Sequence, residues 1–348
     1  MACCSGAAIY DDKGDLSTRL HAVEAWLATR GQLPHKIKWV VEGEEEIGSV
    51  NLPAWAEKYH DMLAADGVLW EGGGYDSLGR PQMAAGCKGI CYVELHADGP
   101  AVDLHSSFAP IVPNPAWRLV HALATMKDPD DHIIIDGYMD HVAPISAELR
   151  AALEALPSDD LPERQANWQL KEWLGGVSER EAFIRLYTEP TMTISGFHSG
   201  YGGPGSKTVL PAHAYAKIDF RLVPNLTYGT ALKLVREHLD RRGYQDIEVR
   251  LIGGEEPADS PIDSRIKRAA VKASEQVWNK TPLVFPRFAG SGPMYPLSTM
   301  INVPTISCGA VSHPDSKIHS PNENIYEKDY VDAMRLFAAL MDNFAAEA

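Results

Sequence analysis

The sequence predicts an α/β fold in two parts: a mostly parallel sheet with helices on both faces, and an inserted α+β, ferredoxin-like domain. Three observations lead to this. Short apolar runs that end in carboxylates, 37–41 before Glu42 and 68–70 before Glu71, alternate with helical runs, as parallel sheets require. Residues 88–256 read strand, helix, strand, strand, helix, strand, which is the split βαβ order. The 348 residues are enough for two domains and a large core. We therefore expect 1–87 and 257–348 to form one domain and 88–256 a lid or dimerisation domain within it.

Hydrophobic residues at 45% and charged residues at 23% describe an ordinary globular chain. A formal charge of -15 opposes nucleic acid and anionic membrane surfaces as partners but suits a cation site. The five cysteines are scattered and odd in number, without metal-type spacing, so a reducing, cytoplasmic setting is expected. Residues 1–14 carry an acidic pair and no long apolar core, and so do not read as a signal peptide; no later stretch is long enough to span a bilayer.

Taken in order, Asp11 and Asp12 precede a run in which Leu16, Leu20, Val23 and Leu27 recur at helical spacing up to Gly31. The two aspartates either cap that helix or hold a metal at its entrance. Residues 37–41 predict a strand running into Glu42, Glu44, Glu45 and Glu46. Acids so close repel one another unless solvated or bridged by a cation. Asn51 and Pro53 open a helix to about 63, and 68–70 form a strand that ends at Glu71 and a triple glycine. In the insert we expect strands at 90–96, 191–198, 214–222 and 247–252. Helices should open at Asn114-Pro115 and span 227–242, with a polar helical stretch at 146–176. A helix over 262–278, a strand over 303–308 and a long helix from 326 to the end complete the first domain. Gly200 to Thr208 resembles a phosphate loop, but Ser206 breaks the Gly-Lys adjacency, and Gly290-Ser291-Gly292 lacks the glycine of a nucleophile elbow.

Asp11, Glu46, Glu71 and His319 each fall at a strand end or helix entrance of the same domain. One imidazole with several carboxylates suits zinc, manganese or cobalt. Six blocks then occur in order: Tyr10-Asp11-Asp12-Lys13-Gly14, Glu42 to Ser49, Asp103-Leu104-His105-Ser106, Lys207 to Pro211, Arg221 to Asn225, and Ile318 to Glu323. Together they resemble the co-catalytic dizinc peptidases that include carnosine-type dipeptidases, glutamate carboxypeptidases and aminoacylases.

The resemblance implies two zinc ions bridged by Asp11, with Glu46 and His319 on one, Glu71 on the other, and Glu45 as general base. It also implies a homodimer through the insert, in which His105 reaches the partner's site to stabilise the oxyanion. Arg221 would pair with a substrate carboxylate, helped by Thr208 and the Gly290-Ser291 backbone. The family carries a His-x-Asp motif ahead of the Asp11 block, and the residues before Asp11 hold no counterpart. His21, the nearest histidine, lies mid-helix. We therefore expect an incomplete dizinc site in a dipeptidase or carboxypeptidase acting on small peptides, its activity impaired by the missing ligand. The alternatives are a non-catalytic dimer that binds a carboxylate-bearing peptide and an aminoacylase-type deacylase.

Overall fold

The computed structural model describes residues 3–5, 9–261, 263–309 and 311–347. Strand β1 (Cys3–Ser5) is followed by helix α1 (Lys13–Arg30), which Gly31 ends in the left-handed region at φ 77° while donating to Leu27 O. The expected helix is present, but its buried face differs from the expected one. Asp15, Thr18, Ala22 and Trp26 turn inward, while Leu20 and Leu27 are 47% and 43% exposed. Two stripes share the helical period, and the contact made along the C-terminal helix, including Tyr330 Oη to Ser17 Oγ at 2.9 Å, selects the less apolar one.

Residues 37–41 are a second correction. They join no ladder, and Trp39, Val40 and Val41 are exposed. A strand is defined by a neighbour 4.7–4.9 Å away, and here a cavity separates the segment from the nearest sheet edge. Helices α2 (Leu52–Lys58), with Pro53 in its first turn, and α3 (His60–Leu63) divide at Tyr59. Strands β2 (Val68–Trp70), β3 (Gly74–Tyr75) and β4 (Pro81–Ala84) follow.

The insert contains β5 (Cys87–Asp98), β6 (Leu104–His105), α4 (Pro115–Leu123), α5 (Ala147–Ala155), α6 (Leu161–Asn167) and α7 (Glu179–Thr188). It continues with β7 (Thr193–Ser199), β8 (Val209–Leu210), β9 (His213–Leu222), α8 (Tyr228–Arg241) and β10 (Glu248–Glu255). Asn114 caps α4 by accepting from Ala116 N at 2.8 Å. The main sheet has the order β10-β5-β9-β7, and these three ladders are antiparallel, the expected ferredoxin-like arrangement, while residues 288–291 join β5 in parallel. Strict alternation in β5 and β9 turns Val93, Leu95, Ile218 and Phe220 toward Leu119 of α4 and Val235 of α8. Each large side chain buried there contributes roughly 1.5–3 kcal/mol. The opposite face carries Glu94, which pairs with Lys217 across strands and with His96 along β5.

Helix α9 (Arg265–Trp278), β11 (Leu283–Phe285), β12 (Phe288–Ser291), β13 (Thr305–Ser307), β14 (Asn324–Tyr326) and α10 (Glu327–Ala346) complete the chain. The expected start of α9 at Ile262 lies outside the described residues. The metal-domain sheet runs β11-β4-β13-β2. Its β11-β4 and β13-β2 pairs are parallel, but β13 meets β4 antiparallel at Ser307 and Ala84, so the sheet is mixed. Met83 packs with α9 and α10, whereas its neighbour Ala84 packs with Leu153, Phe183 and Ile184 of α5 and α7. Adjacent strand residues point to opposite faces, so helices cover both. The stretch 146–188 thus packs on the metal-domain sheet. No helix is long and apolar enough to cross a membrane among the described residues.

Candidate metal centre

The four glutamates at 42–46 divide into two jobs. Glu42 accepts from Glu44 N at 2.7 Å and Ser49 Oγ at 2.6 Å, and Glu44 accepts from Asn51 Nδ2 at 2.8 Å. These bonds tie the loop into one 3-10 turn, Glu45–Ile47, closed by Gly48 at φ 86°. Glu45 and Glu46 are left for the site. Glu46 Oε2 lies 3.7 Å from His319 Nε2, and Asp11 Oδ2 lies 2.9 Å from the same nitrogen. One ligand atom from each of Asp11, Glu46 and His319 lies within 4.8 Å of the others.

Asp11 is placed by its backbone. Glu323, buried, accepts from Tyr10 N at 2.7 Å and Asp11 N at 2.8 Å. The Asp11-Asp12 peptide is cis. Asp12 holds the N-cap position of α1 but makes no side-chain capping bond, so capping does not explain the pair. Asp12 and Glu71 instead share a side-chain hydrogen bond. Burial first, then the surrounding carboxylates, pushes both well above the usual carboxylate range. Glu45 is raised by burial and by Glu46, Asp11 and Glu42, with His319 opposing.

Asp15, fully buried beneath the acids, accepts from Gly72 N at 2.7 Å and faces Arg19 at 3.7 Å. Arg19 in turn donates to Trp70 O at 2.9 Å. Sequence reasoning assigned no role to Asp15 or Glu323, and left Asp12 either as a helix cap or as a metal ligand. Their acidity near the Asp11 block was the available signal, but which acids turn inward depends on the helix phase. So many buried carboxylates around two oxygen donors and one imidazole fit a divalent cation, and that donor set suits zinc, manganese or cobalt.

The remaining expected residues form two further groups. Arg221 donates to Ser291 Oγ at 2.8 Å, and Ser291 donates to Gly89 O at 2.9 Å, which joins β9, β12 and β5. At Gly290 the space beside the backbone is open. Glu255 lies close enough to feel both Glu45 and Arg221, so its charge stands between the two groups. His105 and Thr208 form a separate pair, Nε2 to Oγ1 3.3 Å, on the β6-β8 ribbon. That ribbon shares no hydrogen bond or ion pair with Asp11, Glu46 or His319 among the described residues.

Residues 5–343 match the model of the peptidase family M20/M25/M40. The chain is 29% identical to the Beta-Ala-His dipeptidase of Rattus norvegicus, covering 96% of this chain and 69% of that one. It is 28% identical to a Cys-Gly metallodipeptidase of Schizosaccharomyces pombe, over 98% and 73%. Among solved structures, a metallo-carboxypeptidase of the M20 family from Sulfolobus solfataricus superposes with a TM-score of 0.91. It is 34% identical and covers 99% of this chain and 78% of that one. Human carnosine dipeptidase 1 gives a TM-score of 0.78 at 27% identity, covering 98% and 74%. With the fold, the acidic centre and these likenesses in agreement, the chain belongs to peptidase family M20/M25/M40 and is a metal-dependent peptidase.

Proposed function

We propose that this chain hydrolyses the amide bond of dipeptides, or of small peptides with a free carboxylate, with Glu45 as general base. The observation that carries this is the convergence of Asp11, Glu46 and His319 on one point, with Glu45 beside them and outside the ligand set. Asp11, Glu46 and His319 would hold a divalent ion and Glu71 would be available to a second; such an ion would supply Lewis acidity and lower the pKa of water. Zinc is the expected metal.

Glu45 takes the proton from the attacking water and returns it to the leaving amine, a task suited to a carboxyl held above its ordinary range. Arg221, held by Ser291, pairs with the substrate's carboxylate, and the Gly290-Ser291 backbone helps orient it. His105 and Thr208 stand apart from the acids on the β6-β8 ribbon, which supports a role for His105 in a partner's site, where it donates to the oxyanion of a homodimer. Three residues meet at one metal position, whereas Glu71 stands with Asp12, so the second position is the weaker one.

Metal content per subunit, measured alongside dipeptide hydrolysis with added zinc or manganese, tests the reading. Turnover that scales with bound metal supports it. Bound metal with no hydrolysis of any dipeptide, or hydrolysis indifferent to chelator, overturns it.

A further inference from the structure

The face of the insert sheet turned away from α4 and α8 carries a pair of imidazoles on its two inner strands, β5 and β9. His96 stands opposite Tyr215 and His213 opposite Asp98, so the two histidines are diagonal neighbours on one face of the ladder. Their rings meet. His96 Nδ1 lies 3.2 Å from His213 Nε2, and Tyr215 stacks on His96 with the ring centroids 5.6 Å apart, which fixes the plane of that ring.

The other nitrogen of each ring faces a carboxylate. His96 Nε2 is 3.0 Å from Glu94 Oε2, and His213 Nδ1 is 2.7 Å from Asp98 Oδ1. An ionised carboxylate only accepts, so each of these nitrogens holds the proton that it donates. Lys217 also bonds Glu94 and keeps that carboxylate in place. The two facing nitrogens are left with lone pairs aimed at one another, which repel unless a proton or a metal ion lies between them.

Two features favour the metal ion. Histidines that bind metals donate their second ring nitrogen to a carboxylate or carbonyl, which orients the ring and makes the ligating nitrogen more basic, and both rings do so here. Nitrogens 2.0–2.1 Å from one tetrahedral ion stand roughly 3.3–3.4 Å apart. The observed 3.2 Å is close to that edge. The His96 side chain is 11% exposed and that of His213 41%, so solvent reaches the pair from the His213 side and can complete the coordination.

We propose that His96 Nδ1 and His213 Nε2 bind a late divalent transition metal, zinc, copper or nickel, with Glu94 and Asp98 orienting the rings. Imidazole is a ligand these ions share, whereas magnesium and calcium prefer oxygen. The site is separate from the acidic centre. Arg221 lies at the other end of β9, roughly 27 Å of strand away from His213. A metal here clips β5 to β9, and the proposal goes beyond hydrolysis and does not rest on it.

The test titrates the full chain, stripped with chelator and desalted, with copper(II), the tightest binder of the divalent series, and follows it by electron paramagnetic resonance. Asp11, Glu46 and His319 offer one imidazole, as do Asp128, Asp130 and His132, so a species with two coordinated nitrogens reports the His96 and His213 pair. We expect that species to form with a dissociation constant of about 10 μM or tighter. His213→Gln, at a side chain 41% exposed and so compatible with folding, should abolish it, and His96→Gln should do the same. Asp98→Ala keeps both ligands and should weaken copper about tenfold. Absence of a two-nitrogen species, or one that persists unchanged in both glutamine variants, would overturn the site and leave only a proton between the rings. Unchanged affinity in Asp98→Ala would overturn the orienting role of that carboxylate. The spectra are recorded without substrate, so failure of the hydrolysis assay would leave them unaffected.

Discussion

The carboxylate of Glu323 sits 2.8 Å from the backbone nitrogen of Asp11 and thereby fixes the residue at the centre of the acidic cluster. A loop residue near the end of the chain determines where a carboxylate near its beginning can point. Because Glu323 is buried, Glu323→Ala leaves two amide donors unpaired and should cost about 1–3 kcal/mol. It should also weaken zinc binding by about 10- to 100-fold. Urea unfolding and metal titration separate the two effects, and unchanged zinc affinity would remove Glu323 from the site.

Glu45→Gln keeps the size of the side chain and removes the base. We expect turnover to fall by about 10²- to 10⁴-fold while metal content is retained. Loss of metal along with activity would instead make Glu45 a ligand.

Ser291→Ala frees Arg221 from one of its anchors without touching the metal ligands. Arg221 is partly solvated, which tempers the usual value of a charged hydrogen bond, so a loss of about 1 kcal/mol, or a KM raised by about fivefold, is expected. The turnover number should move less than KM. Steady-state kinetics on a dipeptide decides this.

Lys88 is 2% exposed, donates to Glu189 O at 2.6 Å, and is lowered to about 8, first by burial and then by Arg287. Folded Lys88 releases its proton near 8, whereas the unfolded residue keeps it to about 10.4, so the unfolded state binds more protons in that window. Stability therefore rises with pH across it, by on the order of 3 kcal/mol from this group. Lys88→Met should flatten that rise when unfolding free energies at pH 7.5 and 10 are compared. An unchanged slope would place its origin elsewhere.

Leu20→Glu with Leu27→Glu tests the face that α1 presents. Both side chains are exposed, so the double variant should unfold within about 1 kcal/mol of the parent. A core stripe would cost several times more. Thermal unfolding tells them apart.

Local chemistry accounts for what was legible beforehand. The ferredoxin-like insert follows from strand alternation in 87–98 and 213–222, the Asn114-Pro115 cap and an amphipathic 228–241, each a signal confined to a few neighbouring residues. Asp11, Glu46, Glu71 and His319 stood out because all four fall at strand ends or helix entrances of one domain and together make a metal-type donor set. Long-range relations were not legible in this way. Whether 37–41 is a strand depends on a neighbour, and the edge of β2 does not reach it.

The sequence by itself determined the two-part α/β plan, the acidic blocks and the family they belong to, because these rest on residue types and short spacings. Tertiary structure decided which carboxylates do what. It tied Glu42 and Glu44 into the loop, turned Asp15 under the site and set Glu323 behind Asp11. Those choices follow from helix phase, loop closure and strand pairing between residues far apart in the chain, and a linear pattern does not encode the distances they require.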